Sequence, residues 1–292
     1  MRVLLAGWFS FLHGEITAGD ALALEAVRGA LDTDGIRYDV AWSPVFHPGG
    51  LSLEDAVPER YTHLVFVCGP LHGAQICDLH VRYADCRRVA VGVSVIDPAD
   101  PSVTGFDLVL ARDGDAGPPQ HDLAAVPRTP PVPVVGVILS AGQGEYGARR
   151  RHDEVSARLT GWLGRRACAR LRLDTRLDSG DWTMCASAAE FAAVIARQDL
   201  VVTTRLHGLV LALRHGVPAL AVDPVAGGGK VTAQALAWQW PAVVTAEESA
   251  REQTLDTWWE WCLSAEGAAA ARARAGARTS PLLRSLVEAL TH

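Results

Sequence analysis

Lysine is all but absent from this chain of 292 residues: Lys230 stands alone against 26 arginines. A chain that uses arginine wherever a cation is wanted keeps its one lysine where a compact, strongly hydrated ammonium differs from a planar fork. Lys230 is therefore the first candidate for chemistry. A surplus of positive charge is also missing. The net charge of −6 and a pI near 5.9 exclude a basic field for nucleic acid. The arginines are dispersed, apart from Arg149–Arg151 and pairs such as Arg165-Arg166. Aromatic residues other than tryptophan are few, so any stacking platform has to come from Trp. The six cysteines (Cys68, Cys77, Cys86, Cys168, Cys185 and Cys262) form no Cys-x-x-Cys pair and no Cys/His cluster of zinc spacing. They read as reduced, mostly buried thiols, and no metal is expected. No apolar run reaches the roughly 18 residues of a membrane span. The start, Val3 to Leu12, superficially resembles a secretion signal but reads better as a buried first strand, which makes a cytoplasmic protein the expectation.

What the chain does have is alternation. Apolar runs at Val3–Trp8, Leu64–Cys68, Val89–Val95 and Leu108–Ala111 are separated by helical stretches such as Ala21–Leu31, the βα pattern of a parallel sheet. A second set follows: Val134–Leu139, a helix near Asp153–Leu163, Ala169–Leu173, and a helix over Ala188–Ala196. With 49% hydrophobic residues, one large core or two ordinary cores are within reach. Between the sets, residues 114–133 are dense in Pro and Gly, so a linker is placed there. The expected units are an α/β domain over 1–125 and another over 132–292. An Ala/Arg-rich helix is expected at Ala268–Ala277.

The second set leads into the most informative block. Leu200–Thr204 is a β-branched strand, and Leu206, Leu209, Val210 and Leu213 fall at helical spacing before Gly216 ends the helix. Pro218–Val222 reads as the next buried strand. Arg205 and His207 thus lie where a strand's carboxyl end meets a helix N-terminus, the place where open parallel sheets bind ligands. Free N–H groups favour an anion there, and Arg205 adds a fork for a carboxylate or phosphate. A structural ion pair for Arg205 and a half-buried ring for His207 are the plainer alternatives. Gly227-Gly228-Gly229 before Lys230 invites a phosphate-loop reading, but Pro224 and Val231 stand where a Walker A motif needs Gly and Ser/Thr.

Thr204-Arg-Leu-His-Gly208, the apolar helix, Gly216-Val-Pro218, the strand ending in Asp223, and Lys230 together resemble the C-terminal signature of the polysaccharide pyruvyl transferases. Weaker agreement runs through Gly7, Gly19-Asp20, Gly92–Pro98 and Leu108–Asp113. The resemblance implies two Rossmann-like, doubly wound α/β domains facing each other across a cleft, similar to GT-B, with the acceptor on the first and the donor on the second. It also implies transfer of pyruvate from phosphoenolpyruvate, a donor substrate and not a cofactor, onto two hydroxyls of a sugar or other small diol. In that scheme Arg205, Lys230, Gly228 and Gly229 hold the anionic donor, and His207 handles protons. The chain departs from the pattern at Ser140, where relatives often have arginine, with Arg149–Arg151 as nearby substitutes. It departs again at Cys68-Gly-Pro-Leu-His-Gly73, an altered glycine cluster.

On the acceptor side, the candidates are His13, Gly19, Asp20 and His72, in loops after strands, and Trp238, beside the Lys230 segment. For Asp20 the simpler reading is a helix N-cap, and for Trp238 it is core packing. Two other functions use the same residues: a nucleotide-sugar glycosyltransferase with a diphosphate at Arg205, and a non-catalytic binding protein of the same fold. The partners expected are small molecules, and nothing in the sequence opposes a homo-oligomer.

Overall fold

The computed structural model describes residues 1–12, 16–114, 117–127, 130–140, 142, 144–276 and 280–291. The chain divides into two compact units, Met1–Pro130 and Pro131–His292.

The first unit runs β1 (Val3–Ala6), α1 (Ala18–Thr33), β2 (Tyr38–Val40), β3 (His63–Val67), α2 (Ala74–Arg82), β4 (Arg87–Ser94), α3 (Pro101–Thr104) and β5 (Leu108–Asp113). Its strands are all parallel, in the order β2-β1-β3-β4-β5. Because successive side chains leave a strand on opposite faces, the sheet carries two separate cores. Leu4, Leu64, Phe66 and Ala90 pack into one, while Val3, Leu5 and Val67 pack into the other with Ala23 and Leu24 of α1. Burial on both faces explains why these strands read as continuous apolar runs.

α1 begins earlier than the apolar period suggests. Thr17 is its N-cap, and Asp20 is the third residue of a reciprocal capping box: Thr17 Oγ1 accepts from the Asp20 N–H at 3.2 Å, and Asp20 Oδ2 accepts from the Thr17 N–H at 2.9 Å. Gly19 and Asp20 are consequently helical, and Asp20 is not the N-cap. Part of the expected linker is tied to the first unit. Arg112, in β5, ion-pairs with Asp113 and Asp122 and donates to Ser94 Oγ, while the turn Leu123–Ala125 packs on α1.

The second unit runs β6 (Val134–Ile138), α4 (His152–Gly164), β7 (Ala169–Arg172), α5 (Ala188–Ile195), β8 (Leu200–Thr203), α6 (Leu206–Arg214), β9 (Ala219–Val222), α7 (Lys230–Ala237), β10 (Val243–Val244), α8 (Glu252–Leu263), α9 (Ala265–Arg272) and α10 (Pro281–Thr291). Its sheet is again parallel, in the order β10-β9-β8-β6-β7. β8 and β9 are wholly buried and sit at the middle of one core with Val155, Leu159 and Trp162 of α4. Fully burying each valine or leucine among them contributes about 1.5–3 kcal/mol. Tryptophans finish this core: Trp162 meets Trp259 edge to face at 5.4 Å and donates its indole N–H to Asp256, and Trp240 donates to the Ala219 carbonyl. Among the described residues no helix is long and apolar enough to cross a membrane. All six cysteines are free; Cys68, Cys86 and Cys262 are buried and the other three partly so.

Candidate functional site

In the second sheet the chain first steps outward from β6 to β7, then returns past β6 to β8 and continues to β9 and β10. The reversal lies between β6 and β8, and crevices outside the carboxyl ends of strands at such a point are where ligands bind. Two hydroxyls tie this point together. The Ser140 N–H donates to Thr204 Oγ1 at 2.8 Å, and the two hydroxyl oxygens are 3.1 Å apart. Ser140 is buried, so it serves as a brace between the ends of β6 and β8.

The start of α6 is set by Thr203. Its Oγ1 donates to the Ile138 carbonyl at 3.0 Å and accepts from the Arg205 N–H at 2.9 Å. The helix sits so close to this threonine that a Cβ on Gly208 would fall 2.2 Å from Thr203 Oγ1. Glycine at this place in the Arg-Leu-His-Gly block is a steric requirement. Arg205 occupies the N-cap position of α6 in extended conformation. Its guanidinium Nη1 donates to Thr175 Oγ1 at 2.5 Å and Asp174 Oδ1 at 3.2 Å, so one carboxylate of the chain already stands at the fork. Burial alone would raise the Asp174 carboxyl, but hydrogen bonds from Arg176 and the charges of Arg205 and Arg176 outweigh it and hold the group low. His207, in the first turn of α6, is exposed, and among the described residues its ring has no hydrogen-bond partner.

β9 lies beside β8, and α7 packs against α6. The first turns of the two helices therefore share the carboxyl edge of the sheet, with Arg205 and His207 at one and Lys230 at the other. Between β9 and α7 the chain turns through Gly227 (φ 73°) and Gly228 (φ 85°), conformations only glycine adopts without strain. The turn is fastened by Asp223, which is fully buried. Its carboxylate accepts from the N–H groups of Val225 (3.1 Å), Gly229 (2.7 Å) and Thr232 (2.9 Å) and from Thr232 Oγ1 (2.8 Å). Gly229 is the N-cap of α7, so an internal carboxylate already takes part of the anion-binding capacity of that helix terminus. Lys230 is half-buried, and among the described residues its ammonium is in no ion pair.

Arg149–Arg151 run antiparallel to this turn, through Arg151 N–H to the Pro224 carbonyl and Ala226 N–H to the Arg149 carbonyl, both at 2.9 Å. Arg149 clamps the glycines from outside, donating to the carbonyls of Ala226 (2.9 Å) and Gly228 (2.5 Å). The arginine cluster thus adjoins the Lys230 turn, and the turn is pinned without any ligand. His152 follows at the first position of α4, only 1% exposed, with a buried Nδ1 that has no hydrogen-bond partner among the described residues. Burial, together with the charges of Arg150 and Lys230, keeps this ring below the ordinary histidine range against the opposing pull of Asp153 and Asp223.

The remaining sequence candidates are not drawn together. His13 lies outside the described residues. Gly19 and Asp20 are occupied as the start of α1. His72 is exposed after β3, with Nδ1 3.4 Å from Asp100 Oδ2. Trp238 caps the far end of α7 and packs against the second core, so a helix of eight residues, roughly 12 Å at 1.5 Å per residue, separates it from the Lys230 end. The residues the sequence did not single out are Asp174, His152 and the anchoring role of Asp223. Only Asp223 had a signal: an acid closing an apolar strand directly before a glycine turn.

The family model described as polysaccharide pyruvyl transferase matches residues 170–224, well short of half the chain. That segment holds Asp174, Arg205, His207 and Asp223 and stops before Lys230; the enzyme class that goes with it is transferase. No curated protein matches the chain. Similar solved structures include the spinosyn rhamnosyltransferase SpnG complexed with thymidine diphosphate, at 14% identity over 94% of this chain and 95% of that one, TM-score 0.34. The UDP-GlcNAc 2-epimerase of Methanocaldococcus jannaschii is similar at 9% identity over 99% and 100%, TM-score 0.33. E. coli heptosyltransferase WaaC with ADP is similar at 14% identity over 90% and 99%, TM-score 0.28.

Proposed function

We propose that this protein is a pyruvyl transferase that moves pyruvate from phosphoenolpyruvate onto two hydroxyls of a sugar or other small diol, forming a cyclic ketal. The observation that carries this reading is the Arg205-Leu-His207-Gly208 turn at the β6/β8 switch point. It lies within the matched segment, with an arginine fork, an exposed imidazole and the single lysine on one sheet edge.

Arg205 and Lys230 hold the carboxylate and phosphate of the donor, with the donor taking the place Asp174 has at the Arg205 fork. A proton delivered by His207 to the methylene carbon leaves an oxocarbenium-like centre at the carbon bearing the phosphate. One acceptor hydroxyl adds there, inorganic phosphate departs, and the second hydroxyl closes the ring. Of the two protons the hydroxyls give up, one balances the proton added to carbon and the other leaves with phosphate. An imidazole with an unperturbed pKa of roughly 6.5 suits both giving and taking a proton near neutral pH.

The test is incubation with phosphoenolpyruvate and a panel of glycosides and simple diols. The expected result is phosphate release only when a diol is present, with a product heavier by pyruvate less water. His207→Asn is expected to bind donor and lower turnover by roughly 10²–10⁴-fold. Turnover with nucleotide sugars but none with phosphoenolpyruvate would replace this reading with glycosyl transfer.

A further inference from the structure

From the second unit's open sheet edge we infer that this protein binds an organic monoanion, a carboxylate or sulfonate on an apolar body, in a cavity that none of Arg205, His207 and Lys230 lines and that meets Arg205 through Asp174. β7 is the outermost strand, and the chain after it, residues 174–187, folds back beside α4 and α5 to enclose about 700 Å³. That volume falls within the range of small-molecule sites, about 300–1,000 Å³. The apolar part of the lining comes from four parts of the unit: Val137 and Leu139 from β6 and its end, Leu163 from α4, Phe191 from α5, and Met184 from the returning segment.

The charge is one-sided. Arg170, Arg172 and Arg176 all line the cavity, and Asp174 is the one acid among the lining residues. Asp174 is shared between Arg176, at 3.0 Å, and Arg205. Arg170 donates to the Leu163 carbonyl and, among the described residues, is in no ion pair. Arg172 is exposed, and among the described residues its side chain makes no hydrogen bond or ion pair. A cavity with excess positive charge, in a chain whose net charge is −6, selects for an anion. Aliphatic and aromatic walls select for an apolar body behind the charged group. Guanidinium groups are weakly hydrated forks suited to a carboxylate, so a single acidic head satisfies the rim.

The segment enclosing the cavity is already built. The Asp178 N–H donates to the Cys185 carbonyl at 3.0 Å, and Ala186 N–H to Glu190 Oε2 at 2.8 Å, so binding does not have to order it.

The test is calorimetric titration of the whole protein with decanoate below its micelle concentration, beside acetate and 1-decanol. Decanoate is expected to bind at one site, and acetate and decanol at least about tenfold more weakly, because each lacks one of the two features. Arg172→Ala is expected to weaken decanoate about tenfold, the equivalent of 1.4 kcal/mol. Thr160→Trp, at an exposed position of α4 on the cavity lining, fills the space and is expected to abolish binding. Both variants are checked by circular dichroism and thermal midpoint for an intact fold. No decanoate binding by the wild type, equal binding of decanol, or unchanged affinity in either folded variant overturns the inference. None of these outcomes depends on phosphoenolpyruvate turnover.

Discussion

Asp223 is the residue whose removal is expected to change the Lys230 turn most. Four donors converge on its carboxylate, three of them on Oδ2. A neutral carbonyl has two lone pairs to offer, so the three-donor oxygen depends on the charge. In Asp223→Ala, the buried Val225 N–H loses its acceptor with little access to water, a penalty of about 1–3 kcal/mol. The N–H groups of Gly229 and Thr232 and the threonine hydroxyl are only part-buried, so water recovers much of their loss. The total comes to about 3–5 kcal/mol, near the upper end for a single substitution but within a typical stability of about 5–15 kcal/mol. The variant should fold, weakened. Asp223→Asn keeps one oxygen for the three-donor cluster but turns its amide toward the Val225 N–H, donor against donor, and should lose about 1–3 kcal/mol. Urea unfolding at neutral pH, with amide exchange read over residues 224–232, measures both. The expected order is wild type, Asn, Ala, with faster exchange confined to the turn and the start of α7. If Asp223→Ala unfolds within about 0.5 kcal/mol of wild type and the turn exchanges no faster, the carboxylate does not hold the turn. The Arg149 clamp would then be the anchor.

Three further expectations rest on separate observations. Gly208→Ala places a methyl group 2.2 Å from Thr203 Oγ1; forcing α6 away from β8 should cost about 1–3 kcal/mol by urea unfolding, and a neutral result would mean that the helix start can slide. Lys230→Arg should lower kcat/KM for phosphoenolpyruvate by about 10–100-fold, equal to about 1.4–2.7 kcal/mol, because a guanidinium cannot occupy the compact place of an ammonium beside a turn pinned at Gly229; full activity in the variant would take Lys230 out of the donor site. His152, held below the ordinary histidine range, is protonated later in the native state than in the unfolded chain, so its contribution to stability falls as pH drops below roughly 6.5, by at most about 1.4 kcal/mol per pH unit. His80 acts in the same direction. His152→Gln should flatten the pH dependence of the unfolding free energy between neutral and mildly acid pH, and an unchanged slope would show that the ring titrates alike in both states.

The strands that sequence reading locates best, Leu200–Thr203 and Ala219–Val222, are buried on both faces and therefore uninterrupted by polar residues. β2 and β10 carry no comparable pattern: Tyr38–Val40 is half-buried throughout, and Val243–Val244 has two residues. α7 was hidden because only Val231 and Ala235 of its residues are buried, too few to mark a helical period, and the glycines ahead of it read as loop. At α1 the capping box Thr17-Ala-Gly-Asp20 was present in the sequence, but the apolar period drew the boundary too late. Within the site, Arg205 and His207 could be placed at a strand–helix junction because that junction is local. The partner of Arg205 could not. Asp174 lies 31 positions away, just past β7, the strand next but one to β8, and only the order in which β6, β7 and β8 pair brings it to the guanidinium.

The two sheets have the same strand order, so each has a switch point, and the contents of the two differ. In the first unit the point lies between β1 and β3, where two glycines have close neighbours. A Cβ on Gly7 would fall 2.8 Å from the Val67 carbonyl oxygen, and one on Gly69 would fall 2.3 Å from the Trp8 indole. Cys68 is held there at φ 64°, and burial, with Asp20 nearby, pushes its thiol up to about 11, so it carries no charge at neutral pH. In the second unit the same topological position and the strand beside it carry the Ser140–Thr204 brace, the Arg205–Asp174 pair and the Asp223 anchor. Equal topology offers equal positions for a ligand, but an anion needs a fixed positive group, which Arg205 supplies at the second switch point. On the proposed reading, the charged donor is therefore expected at the second sheet.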